Sequence, residues 1–466
     1  MSDLDAALAA WIEANRDASL ARLQAFVRFP SIGTDPAYAA QTRACAEWVV
    51  AELAGMGFSA RTVDTPGQPM VVAHHPGPGD DDVPHLLYYG HYDVQPADPL
   101  ELWTSPPFEP TLVEGPHGER LVGRGAVDDK GQVTTFMEAF RAWIATTGTL
   151  PCRVTVFLEG EEESGSPSLD AFLQAHAEEL QADVCIVSDT GMWDIDTPAL
   201  TTRLRGLVYL QLDLEGPNRD LHSGAYGGAV LNPVNTLTRL CAALHHDQGQ
   251  VAVPGFYDGV QPVEPALRRA WAELGFDAAE FLADIGLDHE RGEPGFSTLE
   301  RIWGRPTLDL NGIWGGYTGE GAKTVIASKA SAKISCRLVA GQDPHAIIAA
   351  IQAYVGELAP PDAKLTWTVL GAEPAMAVPV SGAYTQAAAR ALERVFGKQA
   401  LMIGGGGSIP AVGMIKRRLG LDSVLMGFGL KDDKVHSPNE KFERRCLDNG
   451  IRSHTALLAE IGRHGS

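Results

Sequence analysis

Apolar residues near the start of the chain recur with a helical period. Leu4, Leu8, Trp11 and Ile12 are followed by Leu20, Leu23, Phe26 and Val27, the spacing that turns one stripe of a helix toward a core. Residues 42–53 repeat the pattern. Beyond them, short apolar runs alternate with helical ones. Runs over 70–73, 85–89, 153–158 and 184–187 predict strands, and 132–144 and 168–180 predict helices. Strands this apolar are buried on both faces, as in a parallel sheet covered by helices.

The pattern changes near Arg205. Over 207–214, Val208, Leu210, Leu212 and Leu214 alternate with Leu207, Tyr209, Gln211 and Asp213, the period-2 signature of a half-exposed antiparallel strand. Helices are predicted over 233–244, 265–274, 277–285 and 346–358, and strands over 323–326, 332–338 and 365–370. A helix over 381–396 and a buried strand over 423–427 then resume the first pattern. The predicted fold class is therefore α/β. One domain, residues 1–205 and 379–466, holds a mixed, largely parallel sheet between helices. An α+β domain, residues 206–378, is inserted in it, with hinges near 203–206 and 371–380.

Composition narrows the functional classes. Of 466 residues, 45% are hydrophobic and 21% charged, with a formal net charge of -22, which repels phosphate backbones and argues against nucleic acid as a partner. The six cysteines are scattered, with no C-x-x-C pair, as expected for reduced thiols in a cytoplasmic protein. Asp3, Asp5 and Glu13 replace the basic and apolar start of a signal peptide. No apolar stretch reaches the roughly 20 residues of a membrane span, so no membrane association is expected.

Candidate chemistry gathers where apolar strands end. The 85–89 run leads into Gly90-His91-Tyr92-Asp93, the 153–158 run into Glu159-Gly160-Glu161-Glu162-Glu163, and the 184–187 run into Ser188-Asp189. A glycine-rich segment, Gly123 to Gly131, carries Asp128 just before a predicted helix. Ligands of open α/β sheets bind beyond the carboxyl ends of the strands, so these acids are expected at one rim. Without cations, like-charge repulsion would load protons onto several of them. Divalent metals remove that penalty, and a histidine-plus-carboxylate set suits zinc, with manganese or cobalt as alternatives. Asp93 shares a face with His91 on an extended segment, so its carboxylate can accept the second imidazole N–H. Glu162 stays free to take a proton from water. Taken singly, His91-x-Asp93 reads better as a satisfied turn and Glu161–Glu163 better as a charged helix start, while Asp128–Gly131 and Asp189 read equally well as turns; their shared placement is what points to a site.

These motifs resemble the carnosinase-like metallodipeptidases, a branch of the superfamily of aminoacylase, glutamate carboxypeptidase and succinyl-diaminopimelate desuccinylase. The resemblance rests on Tyr89-Gly90-His91-Tyr92-Asp93-Val94-Gln95-Pro96, Gly123 to Gly131, Glu161 to Ser166 and Ser188-Asp189. It continues through Asp220-Leu221-His222-Ser223-Gly224, Asn311 to Tyr317, Lys323 to Ile326, Lys333 to Leu338, Gly406 to Pro410 and His436-Ser437-Pro438-Asn439-Glu440. It implies two divalent ions per subunit bridged by Asp128, with His91 and Asp189 completing one site and Glu163 and His436 the other. Only the resemblance singles out His436. Asp93 and Glu162 would be catalytic, Glu162 as general base. The inserted domain would be a lid and homodimer interface, with His222 reaching the partner's site. Thr324, Arg337 and Ser408 would hold the carboxylate of a small peptide. One departure stands out: Gly404 and Gly405 occupy positions where an arginine or other side chain and an acidic or polar one are expected. The expected function is dipeptide hydrolysis; the alternatives are an N-acyl amino acid deacylase or carboxypeptidase of the same superfamily, and a non-catalytic scaffold.

Overall fold

Continuous apolar runs form the middle of a sheet, where both faces are covered. A computed structural model describes residues 3–79 and 82–463. The chain divides into two compact units, one from the described parts of Met1–Thr202, Val378–Ile403 and Pro410–Ser466, the other from Arg203–Ala377 and Gly404–Ile409.

In the first unit four parallel strands lie side by side in the order Arg153–Glu159, His85–His91, Val184–Val187, Ser423–Leu425. Antiparallel neighbours flank them: Met70–His75 and Ser59–Val63 beyond one edge, and Thr201 opposite Leu425 at the other. Register sets His91 beside Glu159, so the parallel strands deliver their last residues to one rim. The helix Lys130–Thr147 is buried along most of its length, and its Phe136 and Phe140 pack on Tyr88 of the central strand. The predicted first helix is two, Asp3–Ala14 and Arg16–Val27, parted at Asn15, whose side chain donates back to the Trp11 carbonyl. The helix expected over 168–180 is shorter, Leu169–Ala175.

Several elements escaped the pattern reading, among them strand Thr307–Gly315 and helices Pro410–Leu419 and Arg444–Gly462. The helix Arg444–Gly462 buries Asp448, Ser453 and His454 along with the stripe Leu447, Ile451, Leu458 and Ile461. The small antiparallel sheet of Thr111–Gly115, Gly118–Val122 and Lys441–Glu443 joins segments more than 300 residues apart, beyond the reach of any local signal.

The second unit is an antiparallel sheet in the order Thr307–Gly315, Lys329–Leu338, Gly206–Glu215, Lys364–Glu373. Strand Gly206–Glu215 alternates as expected, with Val208, Leu210, Leu212 and Leu214 in the core beside Ile351 and Val355 of helix Pro344–Leu358. Among the described residues, no helix is long and apolar enough to cross a membrane. All six cysteines are buried and unpaired.

Candidate metal centre

The rim of the first unit brings the expected acids and histidines together. Asp128 Oδ1 lies 3.2 Å from His91 Nε2, and its Oδ2 lies 2.9 Å from His436 Nε2. His436 Nε2 is also 3.1 Å from Glu163 Oε2. Ligand atoms of His91, Asp128 and Asp189 all fall within 4.8 Å of one another, as do those of Asp128, Glu163 and His436. The two groups share Asp128, one oxygen turned toward each histidine. Such spacing suits donors about 2.0–2.2 Å from a common ion.

Local structure aims these groups. His91 ends its strand, and its backbone N–H donates to Asp129 Oδ2 at 3.2 Å. Asp128 closes the loop ahead of the buried helix, Glu163 sits in the short turn Glu162–Ser164, and Asp189 follows strand Val184–Val187. His436 adopts a φ of 61°, in the left-handed region that non-glycine residues seldom enter.

Asp93 meets His91 through two groups. His91 Nδ1 is nearer the Asp93 backbone carbonyl, at 3.1 Å, than the Asp93 carboxylate, at 3.4 Å. The carboxylate also accepts from the backbone N–H groups of Glu162 (3.2 Å) and Glu163 (3.1 Å). Asp93 thus faces the imidazole with both its carbonyl and its carboxylate, and holds the glutamate turn through the carboxylate. Gln95, given no role by sequence reasoning, donates to Glu163 Oε2 at 2.8 Å; its place in the motif with His91 was the available signal.

The electrostatics of the cluster follow from burying several acids together. Burial, with neighbouring acids adding to it, raises Asp189 and Asp129 well above the carboxylate range. Burial pushes Glu162 up to about 8, and nearby Glu163 and Asp93 add to the rise against the opposing pull of His91. Hydrogen bonds to Asp128 and Glu163 raise His436 to about 10. Burial opposes charge on His91, yet Asp128 and Asp93 outweigh it and hold that pKa well above the usual value. The cluster collects protons between its acids, the like-charge behaviour that divalent ions relieve. The donor set therefore fits two such ions. A cleft of about 290 Å³ opens against Asp128 and Asp189, walled by Met192, Leu430 and Val435, at the small end of the range for ligand sites.

The remaining expected residues lie in the second unit. His222 is exposed, and its Nδ1 accepts from Gly224 N–H at 3.0 Å. It pairs with Val325 across a two-residue ladder, while the Thr324 carbonyl accepts from Ser223 N–H. Arg337 and Ser408 are half-buried. The glycine run has a steric cause at its start: a Cβ on Gly404 would lie 2.5 Å from that of Trp303, so the indole fills the space where a longer side chain was expected. Arg205 donates through Nε to the Gly406 carbonyl and through its backbone N–H to that of Gly407. Burial lowers its pKa to about 10, with the nearby Arg337 charge contributing. Arg205 sat in the expected hinge and drew no functional reading.

Known proteins place this architecture. The chain is 30% identical over 465 residues to the Cys-Gly metallodipeptidase dug1 of Schizosaccharomyces pombe, covering 97% of each. It is 30% identical over 390 residues to the Beta-Ala-His dipeptidase of Rattus norvegicus, covering 82% of this chain and 78% of that one. Human carnosine dipeptidase 1 superposes with a TM-score of 0.82 at 26% identity over 99% of both chains. The M20 metallo-carboxypeptidase Sso-CP2 of Sulfolobus solfataricus does so at 0.84 and 26%, over 96% of this chain and 99% of that one. Residues 87–460 match the sequence profile of Peptidase family M20/M25/M40, and the chain belongs to that family of metallopeptidase hydrolases.

Proposed function

We propose that this protein is a dipeptidase that cleaves a dipeptide at a centre of two divalent ions, zinc before manganese or cobalt. The observation that carries the reading is Asp128, whose two oxygens face separate histidine-and-acid groups while the neighbouring Glu162 belongs to neither. His91, Asp128 and Asp189 would hold one ion, and Asp128, Glu163 and His436 the other. Such ions, when bound, bring the pKa of a water toward roughly 7 and polarise a carbonyl. Glu162 would take a proton from the attacking water and hand it to the departing amine. Asp93 keeps the Glu162–Glu163 turn in place. Thr324, Arg337 and Ser408 hold the substrate carboxylate, for which a guanidinium is a matched bidentate partner. His222 of a second copy steadies the oxyanion.

A homodimer finds support in the edge strand Thr307–Gly315, where Ile313 is 52% and Trp314 45% exposed; exposed apolar edges invite a partner. Six buried, unpaired thiols support a cytoplasmic setting.

The test is a substrate panel: dipeptides against N-acetyl amino acids and longer peptides, with zinc or manganese supplied. Dipeptides should be preferred, and Glu162→Gln should lower kcat by about 10²–10⁴ with both ions still bound. Faster turnover of N-acetyl amino acids would assign the chain to deacylation instead. Near-normal turnover of Glu162→Gln would remove the assigned base.

A further inference from the structure

Glu440 lies four residues beyond His436, is fully buried, and touches no residue of the donor groups through their side chains. Its carboxylate is instead ringed by donors from a single loop. Oε2 accepts from Arg124 Nη1 at 2.7 Å and from Gly125 N–H at 3.0 Å. Oε1 accepts from the backbone N–H of Val127 at 3.0 Å and of Asp128 at 3.1 Å. Main-chain contacts continue the join: the Glu440 carbonyl accepts from Gly123 N–H at 3.0 Å, and Lys441 pairs with Val122 in the small sheet.

We propose that Glu440 is a positioning residue for the dinuclear centre: its carboxylate moulds the 124–128 loop that presents Asp128 and fastens it to the segment that carries His436. The inference rests on the reading of Asp128 as the shared ligand. A buried Arg–Glu pair is the simpler explanation of this contact, but it accounts for only one of the four hydrogen bonds. The other three go to consecutive parts of one backbone loop, and the last is the amide of Asp128 itself. A loop without regular structure has no ladder to satisfy its N–H groups, and burying them unpaired is costly. An ionised carboxylate offers about four lone-pair positions and no donor, which is what this loop requires. Gly125, at a φ of 82° and with Val94 Cγ1 2.6 Å from where a Cβ would sit, allows the chain to curl around the acid.

The other end of the join is closed as well. Asp433 and Lys441 bracket the His436 turn, through Lys441 Nζ to Asp433 Oδ1 at 2.5 Å and Lys441 N–H to the Asp433 carbonyl at 3.0 Å. Asn439 Oδ1 accepts from Thr104 N–H at 2.7 Å. His436 is thus presented by a loop pinned at both sides, and Glu440 is the member of that loop that also grips the Asp128 backbone. Groups of this kind typically alter metal affinity by 10–100-fold when removed.

Calorimetric titration of Zn²⁺ or Mn²⁺ into the metal-stripped full chain, alongside thermal unfolding without metal, tests the proposal. Gln at 440 keeps the shape but turns two acceptor positions into a donor facing amide N–H groups. Glu440→Gln should weaken both binding steps about 10–100-fold, because the bridging ligand serves both sites. His436→Ala should weaken one step only. Arg124→Met, which removes the ion pair and leaves the three backbone contacts, should lower the unfolding temperature with a smaller loss of affinity than Glu440→Gln. Wild-type affinity in Glu440→Gln, with only its unfolding temperature lowered, would reduce Glu440 to a core ion pair and overturn the proposal. If Glu440→Gln does not fold, Glu440→Asp, too short to span both sets of donors, is read by the same criteria. A wild-type chain that takes up fewer than two ions would instead refute the dinuclear reading, a failure distinct from that of Glu440.

Discussion

The two units bury different kinds of surface. Among the described residues of the second unit, the buried polar side chains are Glu300, Ser331 and Gln342, and the sheet core is a run of Val, Leu and Ile. Glu300 closes a capping box with Ser297, so its carboxylate has a local structural task. The first unit buries Asp93, Asp129, Lys130, Glu159, Glu440 and Lys441, several within one rim of its sheet. Burying a charge costs several kcal/mol unless partners compensate it. The second unit is a hydrophobic scaffold that leaves apolar surface outside; the first carries an electrostatic debt at its rim. The contrast locates where ions should matter and where a partner should.

Removing divalent ions gives the largest expected effect. A chelator should abolish hydrolysis and destabilise the first unit selectively, since ligand present at a thousand times its Kd stabilises by about 4 kcal/mol per site. Hydrogen exchange would read this by region. Amides around Asp128 and Glu162 should lose protection, while those of strand Gly206–Glu215 should not. Equal loss in both units would break the comparison.

Charging the exposed edge is the next step down. Ile313→Lys or Trp314→Lys should weaken self-association by about 30-fold or more, as for a central interface residue worth roughly 2 kcal/mol. Sedimentation would measure it, and the unfolding temperature of the second unit should barely move, since neither side chain is in its core. A wild-type chain that sediments as a monomer at micromolar concentration would remove the partner from the comparison.

The same contrast explains how much was legible in the sequence. Strands such as His85–His91 and Gly206–Glu215 announced themselves because their burial pattern is written directly in apolar spacing. His91, Glu163 and Asp189 could be grouped by pattern because parallel strands must end at a common rim, and Asp128 joined them from a glycine-rich loop ahead of a helix. His436 could not. Its turn has no periodicity, and its backbone is left-handed in a loop closed by its own bonds, Ser437 N–H to the Lys434 carbonyl and Lys441 N–H to that of Asp433. Arg444–Gly462 was legible, since Leu447, Ile451, Leu458 and Ile461 recur at helical spacing, and was overlooked; what spacing could not show is that Asp448 and His454 are buried with them. Asp93 was expected to meet His91 through its carboxylate, which lies 3.4 Å from Nδ1; the additional approach of its backbone carbonyl, at 3.1 Å, is decided at a scale of tenths of an ångström that sequence does not show. Gly404 looked anomalous until Trp303, about a hundred residues away, was seen to fill its space.

His454 offers the finest division between the units, because it is a buried titratable group of the first one that lies away from the rim acids. It is fully buried among Tyr88, Phe136 and Phe428, with Nε2 3.3 Å from Ser188 Oγ and no partner for Nδ1. Burial alone lowers its pKa to about 3. The unfolded chain therefore binds a proton at this position below about pH 6.5, while the folded chain stays neutral until near pH 3. Stability should fall as pH drops through that window, by roughly 1 kcal/mol per pH unit, and be unaffected by this group above it. His454→Phe keeps an aromatic ring in the pocket and removes the titration. Denaturant unfolding of the metal-free chain and this variant, from pH 7 to pH 4.5, isolates the contribution as the difference between two slopes, because the rim acids are common to both. Parallel stability curves would mean that the pocket admits a proton or a water, and that the interior of the first unit is less dry than its packing indicates.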